Sequence, residues 1–227
     1  MKQLSKKQMS VLLRDTLVKD ADGAPMMVFR GEHGKTDGAS TSIRTLLGSI
    51  SFGSQDAASN YAESPNQRGL SAESPTVYPA YLIIKNPFIH GLDDPFIDFS
   101  FLENRLGTEI AVECFLKNAG MVENTNNWQE EINGNDEWTG LRDFYNTHPE
   151  RMGELYTELF PMLDDPEFIR VLKAKGYDGA IYGGSGHNAL EREYRVFDES
   201  SVIYALSREI TPKRSLKKAH DEVALTA

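Results

Sequence analysis

Apolar and polar positions change spacing several times along the chain, and each change marks an element. Met9, Leu12, Leu13 and Leu17 fall on one face at helical spacing, which predicts a helix over 5–19 with Ser5 as its cap. The turn sequence DADGAP follows, and MMVFR (26–30) has the pattern of a short buried strand. Residues 31–48, rich in Gly, Ser and Thr, form a predicted loop. In SISFG (49–53) the spacing drops to two, so Ser49 and Ser51 face one way and Ile50 and Phe52 the other, into the core. QDAASNYA (55–62) is a predicted short helix, and 63–76 a Ser/Pro/Gly/Asn loop. VYPAYLIIKN (77–86) is a predicted strand, where Pro79 suggests an edge or a bulge.

From 91 to about 165 the pattern becomes one of short helices separated by polar turns such as NTNN and NGND, around Trp128, Trp138, Phe144 and Tyr145 as core. DPEFIRVLKAKG (165–176) is a helix whose period is set by Phe168, Leu172 and Lys175 and whose stop is Gly176. YDGAIYGG is a strand, GSGHNAL a loop, EREYRVF a strand and SVIYALS the last strand. Residues 211–227 form a predicted tail, so a single domain spans 1–210 with a helical insert over 91–165. Several short strands between turn-rich loops predict an α+β fold on a split, mostly antiparallel sheet with a cleft between its halves.

Charge alters this picture. The 227 residues carry a formal net charge of −10. The insert holds 17 acidic and 4 basic residues, and the rest of the chain 17 and 20, so the negative charge is concentrated in one segment. An acidic chain is a poor general binder of nucleic acid. The insert suits a basic macromolecular partner, or is a set of solvated helix faces; its charge argues against its lining a pocket for an anion. The single cysteine, Cys114, excludes a disulfide within the chain, and five scattered histidines show no HExxH pair. No apolar run reaches the length of a membrane span. The first residues lack a long apolar stretch and a small-residue cleavage site, which predicts action in a reducing, cytoplasmic compartment.

Several residues invite chemistry. GGSGH (183–187) lacks the lysine of a phosphate-binding loop and the second glycine of a nucleophile elbow, which leaves a surface loop or a mobile loop beside a site. Glu191 and Glu193 stand two apart, so in an extended chain their carboxylates share a face. Arg30 closes an otherwise apolar strand and is followed by Gly31.

The order of these pieces carries more than any one of them. A strand ending Arg-Gly comes first, then GSISFGSQDAASNYA, then a strand ending Asn-Pro. GYDGAIY, a loop, Glu-x-Glu and VFDESSV follow. This order strongly resembles the ADP-ribosyltransferase superfamily over 26–86 and 165–207. GSISFGSQDAASNYA resembles the poly(ADP-ribose) polymerase type, and the closing stretch is similar to transferase domains of phage and mobile-element polyvalent proteins. Those relatives carry His and Tyr where this chain has Arg30 and Ser51, which moves the triad to the Arg-Ser-Glu pattern of toxin-like mono-ADP-ribosyltransferases. Glu191-Arg192-Glu193 resembles the Glu-x-Glu of arginine-modifying members.

The resemblance implies NAD as co-substrate and no metal. Arg30 would hold a phosphate or ribose oxygen through its guanidinium fork. The Gly31 backbone would approach the nicotinamide carboxamide, Tyr61 would stack on the ring, and Ser49 and Ser51 would share the cavity-facing side of their strand. Ser51 would bond the catalytic carboxylate or the ribose. Glu193 would stabilise the positive charge that develops as nicotinamide leaves. Glu191 would orient or deprotonate the acceptor, protein arginine being the implied one. The alternatives are an NAD glycohydrolase and a non-catalytic acidic adaptor.

Overall fold

A computed structural model describes residues 6–32, 48–64, 75–91, 93–189 and 191–205. The predicted loops over 31–48 and 63–76 fall largely, and the tail over 211–227 wholly, outside them. The architecture is mixed α and β with mostly antiparallel sheets. β1 (Val28–Glu32), β3 (Thr76–Leu82) and β9 (Val202–Tyr204) make one antiparallel sheet in the order β1-β3-β9. A second sheet runs β2-β8-β7-β4, from β2 (Ile50–Phe52), β8 (Arg192–Val196), β7 (Gly179–Gly183) and β4 (Pro87–His90). Only β4 and β7 pair in parallel among the described strands. The two sheets meet at a seam, where Phe29 and Gly53 exchange both backbone hydrogen bonds at 2.9 Å.

Strand alternation sorts the side chains into two cores. Val28, Ile50, Phe52, Leu82, Ile181, Tyr194 and Val196 are buried together in one of them. Ala180 and Tyr182, one position either side of Ile181, belong to the other, with the insert. β7 is therefore buried on both faces, and its sequence, GAIYG, carries no charged residue.

The insert folds as α3 (Phe99–Leu106), α4 (Thr108–Lys117), α5 (Ala119–Glu123), a π-helical turn (Asn127–Ile132), α6 (Leu141–Thr147), a 3-10 turn (Pro149–Glu154) and α7 (Phe160–Asp164). Trp128 and Trp138 pack edge-on against Phe144 at 5.7 and 5.0 Å, with Tyr145 half-buried at the margin. An element absent from the sequence reading closes the insert: β5 (Phe96–Asp98) pairs with β6 (Tyr156–Glu158), bringing its two ends together. Three residues are too few to show a period. Among the described residues no helix is long and apolar enough to cross a membrane.

Other expectations change in register. The first helix, α1 (Lys6–Leu13), stops well short of residue 19. Beyond it the chain bonds to the end of β3 and the segment that follows: Thr16 Oγ1 donates to the Leu82 carbonyl at 2.7 Å and Leu17 N–H to that of Ile84 at 2.7 Å. Leu13 and Val18 are buried instead of Leu12 and Leu17. Pro79 lies in the central strand of its sheet, not at an edge. It sits opposite Phe29, whose N–H and C=O turn away to Gly53, so β1 asks no donor of it. α2 (Gln55–Glu63) forms where a short helix over 55–62 is predicted, and Ser54 caps it by accepting from Ala57 N–H. α8 (Pro166–Ala174) buries Phe168, Ile169 and Leu172; Lys175 lies in its exposed cap, and Gly176 turns the chain with φ +88°.

Asp178 of the GYDG segment ties β7 to the chain leading into β4. Its carboxylate accepts from Lys85 N–H at 2.8 Å and Asn86 N–H at 2.9 Å. Asn86 answers by donating from Nδ2 to the Gly176 carbonyl at 3.0 Å. Asp178→Ala is expected to cost about 1.5–3 kcal/mol, the range for hydrogen bonds to a charged group, read as a lower denaturant midpoint at unchanged slope.

Candidate functional site

The site begins with the alternation of β8. Tyr194 and Val196 enter the core between the sheets, so Glu193 and Arg195 face the other way, toward the insert. Both are charged and both are buried, 3% and 6% exposed. Register places Ser51 of β2 opposite Arg195, and Tyr182 of β7 opposite Glu193. Ser51 Oγ donates to Glu193 Oε1 at 2.6 Å, and Arg195 Nε donates to the same oxygen at 2.5 Å. Arg195 Nη1 donates to Asp164 Oδ1 at 2.5 Å and to Ser49 Oγ at 3.3 Å. Ser49 in turn donates to the Leu163 carbonyl at 2.7 Å.

Burial works against the charge on Arg195, yet Tyr182, Glu193 and Asp164 around it hold its pKa above the ordinary value. Burial likewise raises the pKa of the Tyr182 hydroxyl, which lies beside this pair without a well-formed hydrogen bond.

These side chains floor a cavity of about 550 Å³, within the range of about 300–1,000 Å³ typical of small-molecule sites. Phe29, Arg30 and Gly31 of β1 line one side, with Ala57, Ala58 and Tyr61 of α2. Ser185 to Asn188 form the rim, so the GGSGH loop is a loop beside a site. Arg30 Nη1 donates to the Ser51 carbonyl at 3.2 Å and Nε to Glu32 Oε1 at 3.3 Å. Tyr61 is half-exposed and meets the His187 ring edge-on, with centroids 5.8 Å apart. Arg30, Gly31, Ser49, Ser51, Tyr61 and Glu193 are thus brought to one cavity from separate stretches of chain.

Glu191 is not among the lining residues. It is exposed, with its N–H on the Asn188 carbonyl at 3.0 Å and its own carbonyl accepting from Gly184 at 2.8 Å. A shared face for residues two apart requires both in an extended strand. β8 begins at Arg192, so Glu191 still belongs to the turn.

Gly31 has a packing reason of its own. A Cβ there would overlap the Ala58 carbonyl, so the missing side chain admits α2 against β1. The insert also departs from expectation, since Glu158, Phe160 and Asp164 line the cavity. Its charge as a whole did not forbid this, because Asp164 is paired with Arg195 and acids such as Glu130, Glu131, Asp136 and Glu137 are exposed.

Sequence reasoning missed Arg195, Asp164, Glu158, Phe160 and Asn188. Arg195 was findable. In EREYRVF it stands two past Glu193, so a strand that buries Tyr194 and Val196 must place the two charges together. Asp164 carried no local signal. Among the described residues no group of three or more His, Cys, Asp or Glu is placed to hold a metal ion.

Gly31→Ala is expected to push α2 off β1 and cost about 1–3 kcal/mol by overpacking. Arg195→Met would leave two carboxylates facing each other without their cation. Its expected cost is larger, about 3–5 kcal/mol. Equilibrium denaturation checks both, and the order of the two losses checks the assignment of the buried pair as the more demanding contact.

The chain matches no protein-family model, no curated protein and no solved structure, so its reading rests on the geometry of this cavity and on the order of its motifs.

Proposed function

We propose that the protein is an NAD-dependent mono-ADP-ribosyltransferase whose fold belongs to that superfamily and whose acceptor is a macromolecule, with protein arginine the favoured side chain. One observation carries the reading. Arg30, Ser51 and Glu193, on three different strands, meet in one cavity, and Ser51 donates to Glu193. The order of motifs supports it independently.

The residues present fit NAD. The guanidinium of Arg30 lines the cavity and suits a pyrophosphate or ribose oxygen. Phe29, Phe160, Ala57, Ala58 and Tyr61 add an apolar and aromatic lining for flat rings. NAD supplies a glycosidic bond to nicotinamide whose breaking builds positive charge on the ribose. Glu193 offers a preorganised carboxylate to that charge and to the ribose hydroxyl, which is where a fixed group lowers the barrier most. Ser51 and Arg195 both bond Oε1, and so keep the other oxygen, Oε2, for this task. Glu191 is exposed where the rim loop meets β8 and would receive the proton of an acceptor arriving from solvent. Arginine is protonated at every working pH, so a base for it has a clear use.

Nicotinamide release from NAD, with and without protein acceptor, tests the reading. Glu193→Gln is expected to lower release by about 10²–10³-fold, the loss typical of removing one preorganised electrostatic group, while the fold persists. Retention of most of the activity would remove Glu193 from the chemistry. Glu191→Gln should spare release to water and lose transfer to arginine. Equal loss of both would contradict that division, and transfer lost instead in Glu158→Gln would move the acceptor to the insert wall. Release without transfer under all conditions identifies a glycohydrolase. A wild-type protein that neither binds nor consumes NAD leaves the acidic adaptor.

A further inference from the structure

We propose that Arg195 is the positioning residue of Glu193, and that Asp164 at the end of the insert governs how Arg195 holds it. The insert then sets the orientation of the carboxylate in the cavity. The consequence for turnover rests on the transferase reading; the positioning itself does not.

The geometry is specific. One guanidinium bridges two carboxylates, Nε to Glu193 and Nη1 to Asp164, each at 2.5 Å. Its planar fork allows this, and a lysine ammonium in its place could not reproduce both bonds. Ser49 braces the same Nη1 and is itself anchored on Leu163, so the bridge is held at two adjacent residues of α7. Arg195 is almost wholly buried, while the Asp164 side chain is 26% exposed. The solvent-facing end of the bridge therefore belongs to the insert, and the enclosed end to Glu193.

The other groups around Glu193 are Ser51 from β2, Tyr182 from β7, Arg30 from β1, Glu158 from β6 and His187 on the rim. Among the described residues, Arg195 is the cation bonded to the Glu193 carboxylate. The two variants then act differently. Asp164→Asn removes the competing anion, so Arg195 serves Glu193 alone. Arg195→Lys keeps the charge but loses the fork, so one ammonium cannot hold Glu193 and Asp164 in the same geometry.

The test is the placement of the Glu193 carboxylate in crystal structures of the full-length wild type, Asp164→Asn and Arg195→Lys. In Arg195→Lys the carboxylate should turn away from Ser51, and in Asp164→Asn the guanidinium should leave α7 and shift onto Glu193. Where nicotinamide release is measured, Arg195→Lys should lower kcat by up to about 10²-fold, the cost of a misplaced reacting group, at unchanged KM for NAD. A Glu193 carboxylate and Arg195 guanidinium in the same place in all three proteins would overturn the proposal. Should Arg195→Lys fail to fold, the shift of the guanidinium in Asp164→Asn decides alone, its site being partly open to solvent. The expected displacements with no NAD turnover in the wild type would uphold the positioning and reject the transferase reading.

Discussion

A guanidinium enclosed between two carboxylates is the contact on which the site depends. Removing an ion from water costs several kcal/mol, and mutual attraction offsets this only when the geometry is good and the remaining polar atoms are bonded. Arg195 meets that condition through Glu193, Asp164 and Ser49. Tyr182 and the carboxylates of Glu193 and Asp164 also hold its pKa above the ordinary value against the pull of burial. The same contact joins the four-stranded sheet to the insert, so the acidic segment is fastened at the cavity as well as through its apolar core.

The cavity lies where two packing problems meet. The sheets converge at the Phe29–Gly53 seam, and β7 is shared by both cores. β1 ends in Arg30, Gly31 and Glu32 beside α2, which approaches closely because residue 31 has no side chain. β8 presents charge on the face turned toward the insert. A site assembled from β1, β2, α2, β8 and α7 can hold a ligand in fixed orientation without any one segment supplying more than a few groups.

Local pattern by itself determined the strands whose alternation was complete and the turns with a chemical signature. Ser49 and Ser51 on one face, Phe52 in the core and the stop at Gly176 all follow from spacing and side-chain type. The grouping of Arg30, Ser51 and Glu193 was legible from motif order. Tertiary structure alone decided the rest. α1 ends at Leu13 because the following backbone finds partners beyond β3. Glu191 leaves the face of Glu193 because β8 starts one residue too late. Asp164 reaches Arg195, 31 positions away, because β5 and β6 draw the insert closed. The physical reason is common to all three. Periodicity reports which side of an element is buried, whereas pairing across distant stretches depends on where backbone donors and charges find partners, and that is fixed only when the chain has closed on itself.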